Sequence, residues 1–465
     1  MLAPTESPED PDDTETPTAP HAVATVPGAG DRVFRRLLAN TLVAGVTSSF
    51  LWFALTFWVY LETRSVVATG VIGGAFSISA AVIGPAFGTF VDHHRKHASM
   101  VLATGVSTAC FAAAASLYLA VDTDTLLRMS SPAFWLLVAL VLMGSVAGSM
   151  RNIVMSTCVT LLVPEGRRDK ANGLVGTIGG LSFAITSVFS GLVIGNLGMG
   201  WALYGAVILV GATLLHLRTI RIDEPEPVPS EDGSSRVDIR GALEAIHAVP
   251  GLLMLIFLAA FNNLLGGVFM ALMDAYGLEL VSVEAWGIIF GVLSMAFIVG
   301  GLVVAKVGLG SRPARVILLC NLLNWIVCAT FTLRSSIVLL VIGMLVWLSM
   351  IPVIEAAEQT VLQRSIPLER QGRVFGFAQL VENAASPVTA IFIGPIAEAF
   401  VMPTMTDGRG ADWIGGWFGT GPERGLALIF TVAGIVGVVV TLAVRASRSY
   451  RHLVVPADAP DVAPA

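Results

Sequence analysis

Twelve stretches of about twenty apolar residues, nearly free of charge, set the limits on what this chain can become. They fall near 41–61, 67–91, 99–121, 133–162, 172–195 and 199–217, then near 251–276, 286–308, 315–333, 337–361, 374–400 and 425–444. Each is long enough to cross hydrocarbon as a helix, which satisfies every backbone group without water. Hydrophobic residues make up 55% of the 465 residues, only 13% are charged, and mean hydropathy is +0.79. A soluble domain could not cover such a surface, so the expectation is an all-α membrane protein with twelve transmembrane helices in two six-helix bundles. Residues 1–34, rich in Pro, Thr, Asp and Glu and without a signal-peptide pattern, read as a disordered tail. The first bundle takes 35–217, a polar linker 218–249, the second bundle 250–446 and a second tail 447–465.

Orientation follows from the basic residues. Of the 27 Lys and Arg, 21 lie on the side of the N-terminus; Arg64, Arg128, Arg334, Arg409 and Arg424 lie on the other side, and Arg151 is inside a span. This bias predicts cytoplasmic termini and a cytoplasmic linker in a bacterial plasma membrane. The formal net charge of -6 hides the asymmetry and gives no reason to expect nucleic acid. The halves also repeat. Residues 163–173 align with 366–376 at an offset of 203, matching Pro, Arg and Gly, and each segment joins the fourth span of its half to the fifth.

With these features in view, the chain resembles the major facilitator superfamily over nearly all of 35–450. Between the second and third spans, Gly88-Thr89-Phe90-Val91-Asp92-His93-His94-Arg95-Lys96-His97 is similar to the family loop Gly-x-x-x-Asp-Arg-x-x-Arg-Arg, with His93 in place of an Arg. Phe53 to Tyr60 before Thr63-Arg64-Ser65, and Gln371 to Gly376, resemble the macrolide-efflux and siderophore-exporter branch of drug:proton antiporters. Two departures stand out. The fifth span, Thr177 to Gly195, lacks the proline of the family's antiporter motif, and the second loop copy, Gly301 to Lys306, lacks the acid. The resemblance implies a gate in which Asp92, with Gly88, Arg95 and Lys96, meets the start of the eleventh span near Gly372, Arg373 and Gly376. A carboxylate is favoured at a helix start, where N–H groups are free and the dipole is positive. The bland alternative is a basic loop that only sets topology. Because the second copy lacks the acid, only the first is expected to gate.

Polar residues inside spans are expensive and therefore candidates for function. Glu355 and Glu358 share a face of the tenth span, three residues apart, and Arg151 lies at similar depth in the fourth. One expectation is that Arg151 and Glu355 oppose each other across a central cavity, so that a proton on Glu355 uncouples them; the other is a pair of interfacial groups held by water or Arg364. Glu382 in the eleventh span and Asp274 near the outer end of the seventh are further candidates, against a structural hydrogen bond and a rim charge. Asn262 and Asn263 are adjacent, so at most one is expected to line a cavity. Trp52, with Phe53, Phe57 and Trp58, forms either an aromatic wall for substrate or ordinary packing.

Enzyme signatures are missing: no phosphate-binding loop, no histidine mid-membrane and no Cys-x-x-Cys among Cys110, Cys158, Cys320 and Cys328. No cofactor and no metal are expected. The partners implied are protons, lipid and a small amphipathic substrate, drug-like or siderophore-like, moved by a monomeric exporter. A proton-coupled nutrient importer and a non-transporting scaffold or sensor stand as alternatives.

Overall fold

The computed structural model describes residues 29–63, 66–224, 238–448 and 450. Its long helices are α1 (Ala29–Thr63), α2 (Val66–His93), α3 (Lys96–Ala120), α4 (Pro132–Leu162), α5 (Arg168–Asn196), α6 (Met199–Arg218), α7 (Leu252–Leu280), α8 (Val283–Val307), α9 (Pro313–Thr330), α10 (Ile337–Ser365), α11 (Leu368–Ile396) and α12 (Pro422–Ala446). Among the described residues there is no strand, and 11 helices are long and apolar enough to cross a membrane. The remaining one, α5, packs against α1, α8 and α10. Exposed residues such as Leu119, Ile208, Ile288 and Leu319 suit hydrocarbon rather than water.

Local chemistry sets the helix ends. Ser131 accepts from the Ala133 N–H at 3.2 Å with Pro132 at the first helical position, and Ser336 accepts from the Leu339 N–H at 3.4 Å. At the same end as Ser336, Arg424 is 2% exposed and donates to the Thr332 and Leu333 carbonyls, both at 3.0 Å, tying α12 to the end of α9. Pro352 interrupts the hydrogen-bond ladder of α10, with Gly176 of α5 and Gly300 of α8 packed against it.

The apolar cores show how the halves meet. One core holds Leu37, Val91, Val154 and Cys158 together with Val304, Leu318, Leu362 and Phe375, so it crosses between the halves at the end where the basic loops lie. At the opposite end the cores are separate: Leu51, Phe111, Phe134 and Leu203 in one half, Phe269, Tyr276, Trp325 and Phe430 in the other. The halves are therefore joined at the basic face and independent at the other. Contacts between them run mainly through α2 with α11 and α5 with α8.

Two expectations need correction. Helix α1 begins at Ala29, inside the segment read as a tail; residues 1–28 lie outside the described residues. The stretch read as a linker contains a helix, Ile239–His247, which buries Ala242, Ala245 and Ile246 and packs on α7 and α11; residues 225–237 lie outside the described residues. Its apolar residues recur at helical spacing over too short a run to stand out beside the spans. The outer segment after α11 continues through a π-helical turn at Ala397–Val401 to helices Met402–Thr406 and Arg409–Phe418, which leaves Trp413 and Trp417 exposed.

Gly434 of α12 sits against the backbone of Ala329 in α9, within a single half. A Gly434→Val change forces these helices apart and is expected to cost about 1–3 kcal/mol. Thermal melting of the purified protein reads this as a drop in apparent Tm of a few degrees, and an unchanged Tm would show that the two helices separate freely.

Candidate functional site

At the basic face α2 ends in Asp92, 5% exposed, whose carboxylate reaches the opposite half. It accepts from the backbone N–H of Gly372 at 2.6 Å and of Arg373 at 2.9 Å, and from Nε of Arg373 at 3.0 Å. Both backbone donors lie near the start of α11, where the helix dipole favours negative charge. Glycines permit the approach: a side chain at Gly88 would run into the Gly372 carbonyl, and one at Gly376 into the Gly84 carbonyl. Arg373 is shared, since its Nη1 also donates to Asp238. Lys96 donates from Nζ to the Val91 carbonyl at 2.6 Å and so caps the end of α2. Arg95 is exposed, and His93 bonds the Thr89 carbonyl of its own helix at 2.8 Å rather than reaching across.

A second polar contact closes the other edge of the basic face. The Asp169 carboxylate of α5 accepts from the Leu309 N–H just after α8 at 2.7 Å. Beside it, Asn172 donates to Thr360 and to Gln363 of α10, each at 2.9 Å, and Gln363 donates back to Asn172 at 3.2 Å. Sequence led us to expect a carboxylate contact at the first loop copy alone, because Gly301 to Lys306 carries no acid. In the structure the acid comes from the other partner, on α5, and its donor is a backbone group without a sequence signature.

Deeper in the second half, three carboxyl groups converge. Glu358 is 8% exposed, Glu382 is half-buried and Glu355 is exposed although it lies far along α10. The carboxyls of Glu358 and Glu382 lie side by side between α10 and α11, with that of Glu355 near both. Among the described residues one oxygen of Glu358 and the side-chain oxygen of Gln359 find no donor.

Other candidates divide. Arg151, 3% exposed, does not meet Glu355: it donates to Thr104 at 2.5 Å, to Asn40 at 2.6 Å and to Thr41 at 3.3 Å, all within the first half. Its partners are neutral, so its charge is not cancelled there. Asn262 is held between α7 and α9, donating to Asn321 at 3.1 Å and accepting from Trp325 at 3.2 Å, whereas the neighbouring Asn263 is exposed. Asp274 accepts from Trp286 Nε1 at 3.0 Å, a bond between the outer ends of α7 and α8. Trp52 stacks on Phe76 of α2 at 4.8 Å and meets Phe53 edge-on at 4.6 Å, while its Nε1 is buried without an acceptor among the described residues. Trp58 is buried and Phe57 exposed, so these four aromatics do not form one wall. Asn40, Thr104, Asp169, Asn172, Gln363 and Asp238 were not anticipated from sequence. A polar residue next to an apolar run was the available signal for the first two; the others sit among polar neighbours where no such contrast exists.

Comparison with known proteins agrees with this architecture. The family model of the Major Facilitator Superfamily matches residues 37–390. Macrolide efflux protein A of Streptococcus pyogenes is 21% identical over 377 residues, covering 78% of this chain and 89% of that protein. Among solved structures, a bacterial homologue of the iron transporter ferroportin in an outward-facing state superposes with a TM-score of 0.65 at 14% identity, over 90% of this chain and 100% of that one. The proton:xylose symporter XylE gives 0.62 at 13% identity, over 89% and 95%. The matched span takes in both halves, the Asp92 loop and the three-carboxyl cluster, and this chain belongs to the Major Facilitator Superfamily.

Proposed function

We propose that the chain is a proton-coupled exporter of small amphipathic molecules, working by alternating access between its two halves. The observation that carries the reading is the contact of Glu358 with Glu382, with Glu355 nearby. An ionised carboxylate only accepts hydrogen bonds, so a hydrogen bond between two carboxyls requires a proton on one of them. The pair is a place to hold a proton away from bulk water, and its loss leaves charges that repel. Arg151, whose charge has no acidic partner in the first half, is the group we assign to attract the cluster when the halves rearrange. Export of an amphipathic drug-like substrate is favoured by the likeness to a relative called a macrolide efflux protein. The stacked Trp52 and Phe76 offer an apolar surface for such a molecule.

In this reading the basic face is cytoplasmic and the membrane is the bacterial plasma membrane, which the bias of Lys and Arg supports. Asp92 of α2, docked against α11, is then a cytoplasmic gate, shut in this structure, and the separate cores at the opposite end correspond to the outward-facing side.

Two measurements test the reading. Proteoliposomes screened against amphipathic drugs and iron chelators are expected to show proton movement driven by at least one compound. Glu358→Gln and Glu382→Gln should abolish that movement, and Glu355→Gln should weaken it; full coupling in both pair variants would refute the proposal. Separately, Asp92→Asn removes charge-assisted hydrogen bonds and should lower the ratio of closed to open basic face about tenfold. Spin-label distances across that face read the ratio, and a distribution identical to the parent's would dismiss Asp92 as a gate.

A further inference from the structure

The connector between the halves is anchored at both of its described ends to the region that must open. Glu224 accepts from the N–H groups of Lys96 at 2.6 Å and His97 at 3.2 Å, capping the start of α3. Asp238 begins the helix Ile239–His247 and caps it, accepting from the Gly241 N–H at 2.7 Å. Its own N–H donates to Thr89 of α2 at 3.1 Å, and its other carboxylate oxygen takes Nη1 of Arg373 in α11. Asp238 thus touches both halves at once, one residue pair away from the Asp92 contact.

We propose that Asp238 is the release element of the basic-face contact: it keeps Arg373 paired when Asp92 withdraws, and its charge favours the open state. The inference rests on the reading of Asp92 as a gate. Only an interaction that differs between two states can shift their balance. The connector helix packs on α7 and α11, so it travels with the second half and its pair with Arg373 survives opening. That pair therefore contributes nothing to the balance. What differs is the repulsion between Asp92 and Asp238, two carboxylates gripping one guanidinium, which exists only while α2 is docked. In the closed state three charged groups sum to one excess negative charge; in the open state Arg373 and Asp238 cancel.

Exposure fits the division of labour. The Asp92 side chain is 1% exposed and must leave its site to be hydrated, whereas that of Asp238 is 35% exposed and already meets water. The Thr89 bond does oppose release, but its donor is the Asp238 backbone, which a side-chain substitution leaves in place.

The test compares closed-to-open ratios in the full-length protein in lipid nanodiscs, with spin labels at Ala98 and Arg364, both exposed, in a background lacking the native cysteines. Asp238→Asn keeps the helix cap, since Asn caps as well as Asp, and removes only the charge. The ratio is expected to rise about threefold, the size of a screened repulsion between near carboxylates, and Asp238→Ser, another capping residue, should do the same. Asp92→Asn, measured alongside, should lower it. A ratio that falls or stays constant in Asp238→Asn while Asp92→Asn still opens the face would overturn the release role and leave the gate intact. An Asp92→Asn protein that remains closed would remove the gate itself, and this inference with it.

Discussion

Everything at the basic face depends on one carboxylate being accepted by the backbone of the opposite half. Asp92 is nearly without solvent, and a buried charge is costly unless hydrogen bonds and a counter-charge replace water. Here the replacement is two backbone N–H groups and the Arg373 guanidinium, all on α11. Because the donors belong to main chain, they can be reached only where side chains are missing, and so the contact carries Gly84, Gly88, Gly372 and Gly376 with it. The shared apolar core then forms around a polar anchor that fixes its register.

Much of this was legible in the sequence, for identifiable reasons. Apolar runs of membrane length leave a helix no alternative, and the distribution of Lys and Arg divides their ends into two faces. The partner of Asp92 was legible only through the resemblance of its loop to the family motif, and the stretch that resemblance implied, Gly372 to Gly376, contains both of its backbone donors. Arg151 was legible in depth but not in direction. Helix α4 is apolar on every side, so no periodicity says which face turns to a cavity and which to α1 and α3. The Asp169 contact and the connector helix were hidden for a different reason. Their partners are a backbone N–H and a shared guanidinium, neither of which leaves a pattern, and the connector's Pro, Glu and Ser composition suggested only polarity.

The polar groups within the membrane also divide by half. Around Arg151 there are hydroxyls and an amide; around Glu358 there are other carboxyls. Each half therefore keeps ionisable groups of one kind that its own residues do not pair with the opposite kind. A fold with one fixed arrangement would gain by pairing them, and their separation accords with the proposed movement between halves.

Pro352 adds a mechanical consequence. A proline inside a helix removes one rung of the ladder and crowds the carbonyl a turn earlier, so the helix bends there more readily than elsewhere. It falls about one turn before Glu355 and two before Glu358, where Gly176 and Gly300 let the neighbouring helices close on it. Glu355, Glu358 and Gln363 all lie on the same side of that joint, between Val353 and Ser365. Any bend at Pro352 would therefore turn the carboxyls and the Gln363 contact with Asn172 of α5 together, instead of sliding the whole helix.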